Sequence, residues 1–150
     1  MPLDPSFVGR TYPPTTPYEV GREKIREFAE AIGETDPAYL DPEAARALGH
    51  PDVIAPPTFP FAITYRAAAQ VVQDPELKLD FSRVVHGDQK FTYTRPVTAG
   101  DLLSVTVSIE SIKSMAGNDL ITVRGEVSDA DGAHVVTSMM MLVVRAAEGE

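Results

Sequence analysis

Residues 58–73 read TFPFAITYRAAAQVVQ, and the architecture of the chain follows from them. Thr58 carries a hydroxyl suited to capping a helix start, and Pro60 falls in the first turn, where its missing N–H costs nothing. From Phe61 to Val72 the only polar side chains are Thr64, Tyr65, Arg66 and Gln70. A helix apolar on nearly all sides is a buried one. At about 1.5 Å per residue it would run roughly 24 Å, close to the width of a small domain.

Everything downstream has the period of strands. After a loop over Glu76 to Arg83, a first strand is expected from Val84 to Arg95, with Phe91 and Tyr93 on one face. In Leu102 to Ile112, Leu103, Val105, Val107 and Ile109 alternate with Ser104, Thr106, Ser108 and Glu110. Gly117-Asn118 suits a hairpin turn into Leu120 to Ser128, where Ile121, Val123 and Val127 point inward. Asp131-Gly132 turns the chain into His134 to Arg145, which is apolar on both faces around Met139 to Val144 and so lies centrally or at an interface. Upstream, Ile25, Phe28, Ala29 and Ile32 form one stripe of a helix over Arg22 to Ile32, stopped by Gly33. Residues 1–17 hold five prolines and read as an extended arm. Glu34 to Pro57 is a long connection with a short helix near Pro42 to Leu48, and so much ordered backbone in a connection points to function. The class is α+β: one domain over residues 1–150, an antiparallel sheet wrapped around one long buried helix, with a frayed tail at 146–150. An open sheet leaves an edge, which a second copy or a homologous chain would cover.

At 150 residues, 43% hydrophobic and 23% charged, the chain can bury one proper core. No apolar run reaches the ~20 residues of a membrane span, and the first residues lack the pattern of a signal peptide. The absence of cysteine excludes disulfides and fits the cytosol. A net charge of −9 without a basic block argues against nucleic acid. An acidic carrier or a phosphate-bearing ligand would need a local cationic patch, for which Arg66, Arg83, Lys90, Arg95 and Lys113 are candidates. There is no H-x-x-x-H or Cys/His cluster, no glycine-rich phosphate loop and no G-x-S-x-G, so neither metal nor cofactor is expected.

Three stretches, YEVGREKIREFAEAIGETDPAYLDPEAARALG, IAPPTFPF and HGDQKFTYTRPVTAGDLL, resemble in order and spacing the hot-dog fold of the MaoC-like hydratases and dehydratases. More narrowly they resemble the FAS1-type N-terminal dehydratase domain, and in particular the non-catalytic A- and C-type subunits of actinobacterial (3R)-hydroxyacyl-carrier-protein dehydratases. The resemblance implies reversible water addition to a trans-2-enoyl thioester. That chemistry needs a base for the α-proton, an acid for the departing hydroxyl and N–H donors for the thioester oxyanion. Active members carry Asp-x-Asn-Pro-x-His in the long loop and Ile-Ala-His-Gly before the central helix. Here Glu34, Asp36 and Tyr39 stand at the Asp, Asn and His positions, and Pro56-Pro57 stands for His-Gly. A phenol titrates near pKa ~10 against ~6.5 for imidazole, so Tyr39 is a poor base at neutral pH. Pro57 has no N–H to offer an oxyanion.

The resemblance therefore implies a subunit that binds an acyl-CoA or acyl-carrier-protein thioester but lacks its own catalytic pair, as a homodimer or beside a catalytic hot-dog partner. Pro57, Thr58, Phe59, Phe61, Ile63 and Tyr65 are the candidates for lining the acyl site. Alternatives stay open: a self-sufficient homodimer with a rearranged site, a hot-dog thioesterase, or a binding module without chemistry. Each singled-out residue also has a plain reading, Tyr39 as a loop aromatic, Glu34 as a solvated carboxylate and Pro56-Pro57 as a stiffener. His50 and His134 sit at turns, with His50 expected to be exposed. His86 and Asp88 open a strand one residue apart and should share a face, although a structural role or a subunit contact explains His86 as well. The run Met139-Met140-Met141 reads as core or dimer seam, with some suitability for an acyl surface.

Overall fold

The computed structural model describes residues 2–148, so the expectation of a frayed end at Gly149 and Glu150 lies outside the described residues. The elements are β1 (Tyr18–Glu19), α1 (Arg22–Ala31), α2 (Pro37–Leu40), α3 (Pro42–Ala47), α4 (Phe61–Val72), β2 (Val84–Tyr93), β3 (Leu102–Met115), β4 (Asn118–Ser128) and β5 (His134–Val144). All strand pairs are antiparallel and the order across the sheet is β1-β3-β4-β5-β2. The sheet curls around α4, which is the hot-dog arrangement.

Core positions follow the alternation read from sequence. Leu103, Val105, Val107 and Ile109 of β3 and Ile121, Val123 and Val127 of β4 are buried against α4, along with Met140, Leu142 and Val144 of β5. Gly125 sits under the helix: a Cβ there would lie 3.5 Å from Val105 Cγ1, 3.6 Å from Ser138 Cβ and 3.7 Å from Thr64 Cγ2. Its bare backbone allows α4 to approach β4 closely.

The helix itself differs from expectation in length and burial. It starts at Phe61, with Pro60 and not Thr58 at the N-cap and no side-chain cap. A Thr58 cap would need the N–H of residue 60 or 61. Pro60 has none, and the Phe61 N–H donates to the Thr58 carbonyl at 3.1 Å. Its 12 residues span only about 18 Å. Ile63, Thr64, Ala67, Ala68 and Val71 are buried, but Tyr65 and Arg66 are exposed, so one side of the helix is open in the single chain.

Other boundaries shift for local reasons. Helix α1 ends at Ala31, so Ile32 falls past the stripe and is exposed; Gly33 follows at φ +75°, and the Glu34 N–H returns to the Ala29 carbonyl. The β3–β4 turn is centred on Ala116-Gly117, one residue earlier than Gly117-Asn118, because Met115 and Asn118 are paired. Both central residues have positive φ, 53° and 81°, as a two-residue hairpin of this hand demands. Strand β5 is interior, flanked by β4 and β2. Ala146, expected to fray, donates its N–H to Asn118 Oδ1.

The proline-rich arm is laid along the outer edge of β3. Gly9, Tyr12 and Thr15 donate backbone N–H groups to the carbonyls of Ile109, Val107 and Val105. Arg10 pairs with Asp74 and Glu76 and covers the Phe7 ring, while the Tyr12 hydroxyl donates to Asp74. These contacts fasten the arm to the segment leaving α4.

Candidate functional site

Two Asp-Pro pairs build the long connection. Asp36 accepts the Ala38 N–H and starts α2; Asp41 accepts the Glu43 N–H and starts α3. In each, proline fits the first helical position. Asp36, at the family's Asn position, is thus engaged as a cap. Glu34 is exposed in the turn after α1. Tyr39 is half-buried and lines a hollow of about 290 Å³ with Ile54, Ala55, Pro57 and Tyr93. Burial, with the carboxylates of Glu34 and Asp36 nearby, pushes the Tyr39 phenol above its ordinary value. The phenol is therefore a weaker base partner at neutral pH than a free tyrosine.

The approach to α4 is equally unsuited to an oxyanion. The Ile54 and Ala55 N–H groups are taken by the carbonyls of Ala38 and Val97. Residues 56 and 57 are both proline. The Pro57 carbonyl accepts the Tyr93 hydroxyl at 2.6 Å, and burial pushes the Tyr93 phenol strongly upward. The polar side chains lining this hollow are Tyr39, Tyr93, Thr94 and Arg95, and none of its described lining residues is a histidine.

An apolar groove of about 460 Å³ runs beside the open side of α4, between Tyr65, Ala68, Ala69 and Val72 on the helix and Val84, His86, Met140 and Leu142 on the sheet, with Phe81 at one end. The Phe61 ring touches Tyr65 and His86, with centroids 5.4 and 5.5 Å away. A second hollow of about 460 Å³, of mixed lining with Arg83, Ser114, Asp119 and Arg145 beside Pro2, Val144, Ala146 and Ala147, shares none of the motif positions.

His86 and Asp88 do not share a face, contrary to their spacing. Gly87 is the extra residue of a β-bulge: His86 opposes Leu142 and Asp88 opposes Met141, neighbours on β5 that point to opposite sides of the sheet. A Cβ at Gly87 would lie 2.9 Å from Met141 Cε and 3.0 Å from Val143 Cγ2, so a larger residue there would require the Met141 methyl to move aside and Val143 to give slightly. The companion of His86 is Gln89, whose Oε1 lies 3.2 Å from His86 Nε2 and whose Nε2 donates to buried Ser138. Gln89 escaped sequence reading, although glycine inside a strand is a signal for a bulge and hence for a changed facing.

Of the lining candidates, Pro57 borders the Tyr39 hollow and Tyr65 the groove, with Phe61 between Tyr65 and His86. Thr58 lies in the turn before α4. Phe59 is fully buried against Phe28, and Ile63 is buried in the core, so neither opens onto these concavities. His50 is half-buried, not exposed. His134 is more engaged than its turn position implies, with Nδ1 2.6 Å from Thr94 Oγ1 and Nε2 3.1 Å from Glu126 Oε2. Met140 is core, while Met139 and Met141 are half-buried on the outer face. Arg95 is held by both Asp101 and Asp129, whereas Arg83 lies 3.2 Å from the exposed carboxylate of Asp80. Among the described residues no group of three or more His, Cys, Asp or Glu side chains could hold a metal. None of the described helices is long and apolar enough to cross a membrane.

Residues 6–138 match the family described as the FAS1-like, dehydratase domain region. The chain is 74% identical over 148 residues to a "UPF0336 protein" of Streptomyces avermitilis, covering 99% of each. Among solved structures it is similar to a "MaoC-like dehydratase", with a TM-score of 0.89 and 34% identity over 95% of this chain, though it spans only 43% of that one. It is also similar to a chain of the HadBC (3R-hydroxyacyl-ACP dehydratase) complex of Mycobacterium tuberculosis, with a TM-score of 0.82 and 30% identity over 91% of this chain and 96% of that one. The hot-dog fold and these likenesses agree: the chain belongs to the FAS1-like dehydratase region family.

Proposed function

We propose that this chain is the acyl-thioester-binding subunit of a (3R)-hydroxyacyl-thioester dehydratase, non-catalytic by itself, acting in the fatty-acid metabolism of the cytosol beside a catalytic hot-dog partner. The thioester is carried on CoA or on an acyl carrier protein. One observation carries this reading. An apolar groove sized for an alkyl chain lies along α4, while the motif positions, in a separate hollow, hold Tyr39 and Pro57 where proton transfer and oxyanion binding need an imidazole and an amide.

Partnership is supported by the sheet. The outer edge of β2 has no strand against it among the described residues, and His86 and Phe81 on that side are exposed. A second hot-dog chain adding its own edge strand there would satisfy the backbone and roof the groove. The similarity to a subunit of a heteromeric dehydratase supports a partner that supplies the Asp and His. A self-sufficient homodimer is less well supported, because the bulge at Gly87 separates His86 from Asp88.

The test is hydration of crotonyl thioester by the purified chain, by a partner carrying Asp-x-Asn-Pro-x-His, and by the two coexpressed. The coexpressed pair should turn over and this chain alone should not. Turnover by this chain alone at a rate comparable with the pair would sink the proposal, and release of free thiol would make it a thioesterase.

A further inference from the structure

We propose that Arg83 and Arg145 form an anion site that holds a phosphate group, at the opposite end of β2 from the Tyr39 hollow. Tyr93, the last residue of β2, lines the Tyr39 hollow, whereas Arg83 immediately precedes the first. The inference stands apart from the reading of the groove along α4 and does not depend on it.

The two arginines are neighbours across paired backbone. Val84 opposes Val144 in the β2–β5 register, and one step further the Arg145 N–H donates to the Arg83 carbonyl at 3.0 Å. Opposite residues of an antiparallel pair share a face, with Cβ atoms about 4.5–5.5 Å apart. Like charges so placed repel each other, and a counter-ion between them turns that repulsion into a shared attraction. Both arginines line the hollow of about 460 Å³ at the β3–β4 turn, together with Ser114, Gly117 and Asp119.

Their donors are not used up. Arg83 Nε is buried and makes no hydrogen bond among the described residues. Asp80 Oδ2 lies 3.2 Å from it but out of line for a bond, and that carboxylate is exposed. Arg145 is exposed and belongs to none of the ion pairs among the described residues. Asp119, the one acidic residue of the lining, is engaged elsewhere: Oδ2 accepts the Leu3 N–H at 3.0 Å and Oδ1 the Ser114 hydroxyl at 2.7 Å. A buried donor without an acceptor is costly, and an anion supplies the acceptor as a charged hydrogen bond. A carboxylate has two oxygens and fills one guanidinium fork, whereas a phosphate has further oxygens for a second. The net charge of −9 repels a phosphate at long range, so what holds it is this local pair.

Amide NMR of the full-length chain tests the site, by titration with sodium phosphate near neutral pH against sodium chloride and sodium acetate at matched ionic strength. Phosphate should give saturable shifts at Gly117, Arg145, Ala146 and Ala147, and chloride and acetate should not. Arg83→Gln and Arg145→Gln should each weaken phosphate binding about tenfold or more, as loss of a charged hydrogen bond requires. Neither side chain is part of the core, and unchanged thermal melts would certify the folding of the variants. Asp80→Asn removes the competing carboxylate while keeping an oxygen for the Ser82 N–H, and should tighten binding about twofold or more. Titration with CoA identifies the source of the phosphate. Binding tighter than that of inorganic phosphate, and weakened in the same two variants, assigns the site to a nucleotide-borne phosphate; binding no tighter assigns it to the free ion. Shifts that do not saturate, an equal response to chloride or acetate, or an affinity unchanged in both arginine variants overturns the site. Each of these outcomes leaves the hydration assay of the coexpressed pair untouched, so the two readings fail separately.

Discussion

Tyr39 decides how the site is understood. Its phenol is held above its ordinary value by burial and by the carboxylates of Glu34 and Asp36, so at neutral pH it remains protonated. In the coexpressed pair, Tyr39→Phe should therefore leave kcat/KM within about twofold, where loss of a working base costs about 10²–10⁴. A drop of that larger size on steady-state assay would return Tyr39 to the chemistry. The motif substitutions were legible in the sequence because they are statements of chemical identity: a phenol is not an imidazole in any fold. The facing of His86 was not legible. It depends on Gly87 being skipped in the pairing with β5, a register fact that alternate spacing cannot reveal. The two prolines show a mixed result, since the missing N–H was evident but the capture of the Pro57 carbonyl by Tyr93, a contact 36 residues away, was not.

Among the elements, the β3–β4 hairpin carries a strain with a measurable consequence. Ala116 sits at φ 53°, a region costing a residue with a Cβ about 1–2 kcal/mol, whereas asparagine tolerates it. Ala116→Asn should raise stability by up to about 1 kcal/mol, and the melting temperature by about 2–4 °C for a chain of this size. Strand periodicity identified the faces of β3 and β4 because one side of each is buried, whereas β5, apolar on both faces, showed its alternating burial only in the structure. Helix ends were less legible. The Asp41-Pro42 pair announces α3, and Asp36-Pro37 announces α2 by the same cap, but a single turn of helix leaves no period to read. The uniform apolarity of α4 suggested burial all round. In the single chain one side of it borders an open groove, and sequence does not distinguish a core face from a ligand or partner face.

At the scale of the molecule, the arm and its clasp connect the N-terminal segment to the far end of α4. Hydrogen bonds from Tyr12 and Arg10 hold the Asp74 carboxyl below its ordinary value. Because the folded value is depressed, the stabilisation is complete above the usual carboxylate range and is lost as pH falls through the folded value. The gap in melting temperature between the native chain and Asp74→Asn should be widest near neutral pH and should shrink as pH falls below the ordinary carboxylate range. The same arm covers the β3 edge through Gly9, Tyr12 and Thr15, while the β2 edge stays bare among the described residues. Removing residues 2–16 should therefore yield species larger than two chains by light scattering, where the intact chain should stop at two. On that expectation the intact chain would be, in the language of polymer chemistry, monofunctional: able to join once and then to terminate growth. The proline-rich arm, which also packs Leu3, Phe7 and Tyr12 on the core, would then be what keeps a two-ended, fibre-forming unit from existing.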